Sequence, residues 1–216
     1  MKTDFAVIFN LKNRVTIVHT YSLYVTLHLD YKRRRIIMQP KEQSLCFSGH
    51  RSEKLPQSKE KLESLKLRIR EEIDNAMEKG INTFYFGACY GFDLMCAGIV
   101  LKGKRVVEML NPKILKLIAV VPFEEQAKNW NEKNREIYYN TLAQCDEVNT
   151  LSARYHQGCY YERNRYMVDH SSRMMCYYDG DKGDTEYTVK HAEQNNLQIT
   201  NLYETIKDIS STTSVI

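Results

Sequence analysis

From Gln43 onward, short apolar runs alternate with longer segments whose apolar residues recur at helical spacing. That alternation allows few architectures. Ser44–Ser48 (SLCFS) reads as a strand. Lys59–Lys79 places Leu62, Leu65, Ile69, Ile73, Ala76 and Met77 on one helical face, and Gly80 closes it. Ile81–Phe86 is the next strand, and a helix starting near Gly91-Phe92-Asp93 carries Leu94, Ala97, Val100 and Leu101. Leu115–Val121 is too apolar to alternate, as a strand buried on both faces should be. Pro122 ends it, and a helix is expected across Gln126–Ala143. Asp146–Leu151, Met174–Tyr178 and Leu197–Leu202 read as strands, with helices at Tyr160–Ser171 and Thr185–Asn195 between them. Short loops joining such units predict an α/β, Rossmann-like, doubly wound, mainly parallel sheet with helices on both faces. Ligands of such folds sit beyond the carboxyl ends of the strands, so chemistry is expected in the strand-to-helix loops.

Composition narrows the class. The chain has 216 residues, 43% apolar and 27% charged, enough for one α/β domain with an appendage. No apolar run approaches the roughly 18–20 residues of a membrane-spanning helix, so a soluble protein with no membrane partner is expected, and the cysteines that follow point to a cytoplasmic one. Cys46, Cys89, Cys96, Cys145, Cys159 and Cys176 form no CxxC pair and read as reduced thiols, mostly in the core. No metal site and no cofactor are expected from them. Residues 1–37 hold Lys2, Lys12, Arg14, Lys32, Arg33, Arg34 and Arg35 against Asp4 and Asp30, a net +5. Taking this from the whole chain's +4 leaves −1 on residues 38–216. A body without net positive charge argues against a broad duplex-binding face.

Those first 37 residues differ in pattern from the rest. FAVIF and RVTIVHTYSLYVTLHL, broken at Asn10–Asn13, read as strand, turn, strand. Two origins fit: a start codon read too early, with Met38 opening the folded unit, or a β-hairpin extension with a basic KRRR tail. Residues 38–209 are then the domain, and 210–216 (SSTTSVI) a frayed tail.

Four loops at the predicted sheet edge carry the candidate site. After the first strand comes Ser48-Gly49-His50-Arg51, where glycine admits a ligand to the backbone and His50 and Arg51 can meet an anion. After the second comes Gly87-Ala88-Cys89-Tyr90-Gly91-Phe92-Asp93; its glycines free N–H groups for a phosphate, and Asp93 either complements the helix dipole or accepts ribose hydroxyls. Here Gly91→Val is expected to abolish binding and leave the fold largely intact. The third loop leads from Arg154 into a helix whose first turns hold Arg163 and Asn164, a guanidinium fork for phosphate. The fourth, Asp179-Gly180-Asp181-Lys182-Gly183-Asp184-Thr185, opens a helix at a Thr185 cap, with Thr188 one turn on. Each alone also reads as ordinary turn or capping chemistry. Together they point to a nucleotide-sized anionic ligand.

The order SGHR, GACYGFD, LKLIAVVPFEEQAKNW, ARYHQGCYYERNRYMVDHSS and YDGDKGDTEYT resembles the YpsA-like branch of the SLOG superfamily across about residues 44–200. That superfamily also contains the LOG phosphoribohydrolases and the DprA/Smf proteins. The resemblance implies a Rossmann-like fold that binds nucleotides or molecules derived from them. LOG enzymes use an E-R-K helix motif and a later G-G-x-G-T-x-x-E loop. Here Glu162-Arg163-Asn164 is similar to the first, with Asn164 in place of Lys. Thr188 stands where the resemblance puts the catalytic Glu. Asp184, where the pattern usually has Gly, brings negative charge beside the expected phosphate.

The resemblance thus implies a binding or sensing module for a nucleotide or nucleotide-derived small molecule, without evident catalysis. Its ligand residues would be Gly49, His50, Arg51, Gly87, Gly91, Asp93, Arg163, Asn164, Gly183, Thr185 and Thr188. An N-glycoside hydrolase acting on a nucleoside monophosphate, with Asp93 or Glu186 as substitute acid, is the alternative. A DprA-like single-stranded DNA binder is a third, against which the −1 body charge counts. Trp130–Leu142 and Tyr160–Met167 are apolar and tyrosine-rich enough to offer a homodimer face.

Overall fold

The computed structural model describes residues 40–109 and 115–206. The expectations for residues 1–37, for Met38 and for the 210–216 tail lie outside them. Six parallel strands form one sheet: β1 (Ser44–Gly49), β2 (Thr83–Phe86), β3 (Lys116–Val121), β4 (Glu147–Thr150), β5 (Arg173–Tyr177) and β6 (Gln198–Asn201), in the order β4-β3-β2-β1-β5-β6. The helices are α1 (Lys59–Glu78), α2 (Phe92–Glu108), α3 (Glu132–Leu142), α4 (Cys159–Asp169) and α5 (Asp184–Gln194). The doubly wound Rossmann-like expectation holds. Chain direction across the sheet reverses between β1 and β5, so a crevice opens there beyond the strand ends.

The local reasons are legible. The Ser58 hydroxyl caps α1 by accepting the Lys61 N–H at 3.3 Å. Its apolar stripe buries Leu65, Ile69, Ile73 and Ala76, and Gly80 leaves the helix at φ 91°. β3 keeps only Lys116 exposed, and Leu117, Ala119 and Val120 are wholly buried between helix layers. Phe47 and Phe84 stack at 5.9 Å across neighbouring strands β1 and β2. Cys46, Met174 and Cys176 pack with Met167 and Val168 of α4 and Val189 and Ala192 of α5. Truncating a side chain in such a cluster, as in Met167→Ala, costs about 2–5 kcal/mol. Cys46, Cys96, Cys159 and Cys176 are buried free thiols, whereas Cys89 and Cys145 are half-buried.

Helix α3 departs from expectation. It starts at Glu132 rather than Gln126, because the Asn131 side chain accepts the Asn134 N–H at 2.9 Å and sets the start there. Residues 122–130 are turns, and Trp130 precedes the helix. Tyr138 and Thr141 of α3 face inward, while Ile137 and Tyr139 stay exposed. Among the described residues, no helix is long and apolar enough to cross a membrane.

Candidate functional site

A cavity of about 340 Å³ lies beyond the carboxyl ends of β1, β2 and β5, at the strand-order reversal. All four loops reach it. Of the expected ligand residues, Gly49, His50, Arg51, Asp93, Arg163, Asn164, Gly183 and Thr185 line it. Gly87, Gly91 and Thr188 do not, and each has a structural reason.

Gly87 sits behind Arg163: a Cβ there would overlap the guanidinium, which donates to the Gly87 carbonyl. Gly91 is the N-cap of α2 at φ 100°, and a Cβ would come within 2.7 Å of the Arg51 backbone. Because backbone cannot yield as a flexible side chain does, Gly91→Val distorts the junction of the first two loops. The expectation of an intact fold is therefore corrected. Thr188 is fully buried. Its hydroxyl donates to the Asp184 carbonyl at 2.7 Å and accepts the Asn164 amide at 2.7 Å, so both its bonding directions are used inside the fold. Thr185 is also not the cap of α5; Gly183 holds that position and Asp184 opens the helix.

The floor of the cavity is a buried relay. Arg163 Nε donates to Asn164 Oδ1 at 2.7 Å, and Asn164 donates onward to Thr188. The second loop, α4 and α5 are thereby tied through one line of side chains. Such a line is strong when every member is satisfied. Of the Arg163 fork expected to meet a phosphate, two N–H directions hold Gly87 and Asn164, though its side chain still borders the cavity. Asp93 lies in the same floor, 5% exposed, and accepts the Gly87 N–H at 3.2 Å. Burial pushes its carboxyl up to about 6, against the opposing pull of Arg163 and backbone N–H groups. Between Gly87 and Asp93 the chain turns through Ala88 at φ 51°, and Gln126 Nε2 holds the Ala88 carbonyl at 3.0 Å.

At the lip, the loops after β1 and β5 clasp each other. His50 Nε2 donates to Asp179 Oδ1 at 2.7 Å, and Lys54 reaches Asp181 at 2.7 Å and Asp179 at 3.3 Å. Burial alone would raise the Asp179 carboxyl; the Asp181 N–H, His50 and Lys54 outweigh it and hold it at about 2. Sequence reading missed Lys54, Cys89, Tyr160 and Lys182, which also line the cavity. Lys54 was within reach, since it follows His50 by four residues on the Ser52–Lys54 turn. Four cations (Arg51, Lys54, Arg163, Lys182) meet four carboxylates (Glu53, Asp93, Asp181, Asp184) in the lining. Recognition of an anion here depends on placement rather than on excess charge.

A family model described as the YspA SLOG family (YpsA) matches residues 45–209. The chain belongs to that family. Among similar proteins, a UPF0398 protein of Bacillus pumilus is 25% identical over 151 residues, covering 68% of this chain and 78% of the relative. One from Halalkalibacterium halodurans is 29% identical over 137 residues, covering 62% and 70%. Among solved structures, DNA processing protein A from Helicobacter pylori, described with a single-stranded DNA binding mode, aligns at TM-score 0.44 and 12% identity. It covers 78% of this chain and 80% of its own.

Proposed function

We propose that this YpsA-family protein binds a nucleotide or nucleotide-derived small molecule, of nucleoside monophosphate size, in the cavity at the β1/β5 reversal, and does so without turning it over. One observation carries the reading: residues from four loops, separated by up to about 135 positions in sequence, line a single cavity where parallel α/β sheets bind ligands. Arg51, Lys54 and Lys182 are the cations a phosphate would meet, Lys54 by exchanging its exposed pairing with Asp181 and Asp179, and the N-terminus of α5 lies among them. Balanced lining charge suits one phosphate better than a polyphosphate chain, and it argues against a nucleic-acid track. Thr188 stands where the resemblance to LOG enzymes puts the catalytic Glu, and its hydroxyl is committed to the floor relay.

The hydrolase reading has one specific support, the Asp93 carboxyl held at about 6 in the cavity floor. Calorimetry with AMP, followed by chromatography for free adenine over hours, tests both. Binding without adenine release is expected. Release that vanishes in Asp93→Asn makes the protein a hydrolase, and absence of binding overturns the nucleotide reading.

A further inference from the structure

Beside the first cavity, beyond the carboxyl ends of β3 and β4, lies a larger one of about 830 Å³. Four aromatic rings, Phe123, Trp130, Tyr155 and Tyr160, stand in its wall among charged and amide side chains. Phe123, two residues past β3, meets Tyr155 at 5.6 Å and Tyr160 at 5.9 Å, both rings nearly perpendicular to it. Tyr155 is 64% exposed, so its ring does not serve the core. Trp130 forms another part of the wall and is braced at its back by Tyr90 at 5.0 Å and Tyr138 at 5.3 Å. Arg51 and Tyr160 line both cavities, and the Arg51 guanidinium lies 5.3 Å from the Tyr90 ring centre. The two cavities therefore share a wall at Arg51 and Tyr160. The charges of the second cavity sit toward exposed positions, and Lys128 is engaged by Glu125 at 3.2 Å.

We propose that the second cavity seats a planar heteroaromatic ring, the base of the ligand whose sugar-phosphate end occupies the first, with Arg51 and Tyr160 at the junction. This rests on the nucleotide reading above and extends it: the ligand class becomes one that carries a ring as well as a phosphate. The Trp130, Tyr155 and Tyr160 rings in the lining suit stacking, which accepts any base, and Gln126, Asn129 and Arg154 beside them are polar groups able to meet its edge.

Trp130 is the chain's single tryptophan, so its emission reports on this cavity alone. AMP and ribose 5-phosphate, titrated into the full chain by calorimetry and tryptophan fluorescence, separate base from sugar phosphate. AMP is expected to bind about tenfold more tightly and to change Trp130 emission, which ribose 5-phosphate leaves unchanged. Tyr155→Ala, at an exposed position, is expected to cost AMP about tenfold in affinity and ribose 5-phosphate nothing. Equal affinity for the two probes with silent Trp130 emission overturns the inference and leaves the nucleotide reading standing. Equal loss of both probes in Tyr155→Ala also overturns it, because the tyrosine then acts on its loop and not on a base. Binding of neither probe to the wild type removes the nucleotide reading, and this inference with it.

Discussion

The floor and the lip of the first cavity each hold an aspartate, and the surroundings drive the two carboxyls apart. Asp93 in the floor is buried and stands at about 6; Asp179 at the lip is 16% exposed and stands at about 2. Burial raises both, so desolvation alone does not separate them. The difference lies in the partners. Asp179 is met directly by the His50 imidazole, the Lys54 ammonium and a backbone N–H. Asp93 has backbone donors and feels Arg163 only through space, because that guanidinium is bonded to Gly87 and Asn164. A charge-assisted bond at contact offsets desolvation; the same charge spent on neighbours offsets only part of it.

The largest effect expected from this contrast comes from Arg163→Ala. It leaves the Gly87 carbonyl and the Asn164 side chain without their donor and removes the Arg163 charge that acts on Asp93. Urea unfolding at pH 7 should show a loss of about 3–5 kcal/mol. A loss below about 1 kcal/mol would mean that the floor relay is not holding the loops together.

Next is the pH dependence that Asp93 imposes. Its folded value lies above an aspartate's ordinary 3.8, so between about pH 4 and 6 the folded protein keeps a proton that the unfolded chain has released. Stability should therefore fall as pH rises through that window, by up to about 3 kcal/mol, and level off above it. Asp93→Asn should flatten this limb. A wild-type limb that persists unchanged in the variant assigns the titration to another group.

Asp179 works the other way and somewhat more weakly. With its folded value below 3.8, its contribution is present above about pH 4 and is lost as pH falls toward 2, about 2 kcal/mol in all. Asp179→Asn should remove that acid limb while leaving the Asp93 limb in place. Opposite slopes on the two sides of pH 4, each erased by its own variant, would sharpen the contrast; a single slope spanning both windows would break it.

The smallest change in stability belongs to Lys54→Ala. Its ion pairs with Asp179 and Asp181 are at the exposed lip, so the urea midpoint at pH 7 should barely move, whereas AMP affinity should fall severalfold. A stability loss as large as that of Arg163→Ala would make the lip a structural clasp like the floor.

Alternation of apolar and amphipathic runs, by itself, determined the parallel sheet, the helices between its strands and the edge where the four loops gather, because periodicity and connection length are local properties that every strand-helix unit repeats. Gly49, His50, Arg51, Asp93 and Gly183 were readable for that reason, each lying in the loop or first turn that follows a strand. Tertiary structure alone decided who bonds to whom. Thr188 looked like a ligand contact until Asn164, 24 residues away, took its hydroxyl. Arg163 looked like a free fork until the Gly87 carbonyl, 76 residues away, took one arm. His50 finds Asp179 across 129 residues only because β1 and β5 are sheet neighbours. The start of α3 likewise needed the tertiary structure, since the sequence pattern placed it at Gln126 while the Asn131 cap selects a first turn at Glu132. A hydrogen-bonding side chain carries no mark in sequence of whether a ligand or a neighbour will satisfy it; strand order settles which neighbour arrives first, and burial then makes that bond too costly to leave unmade.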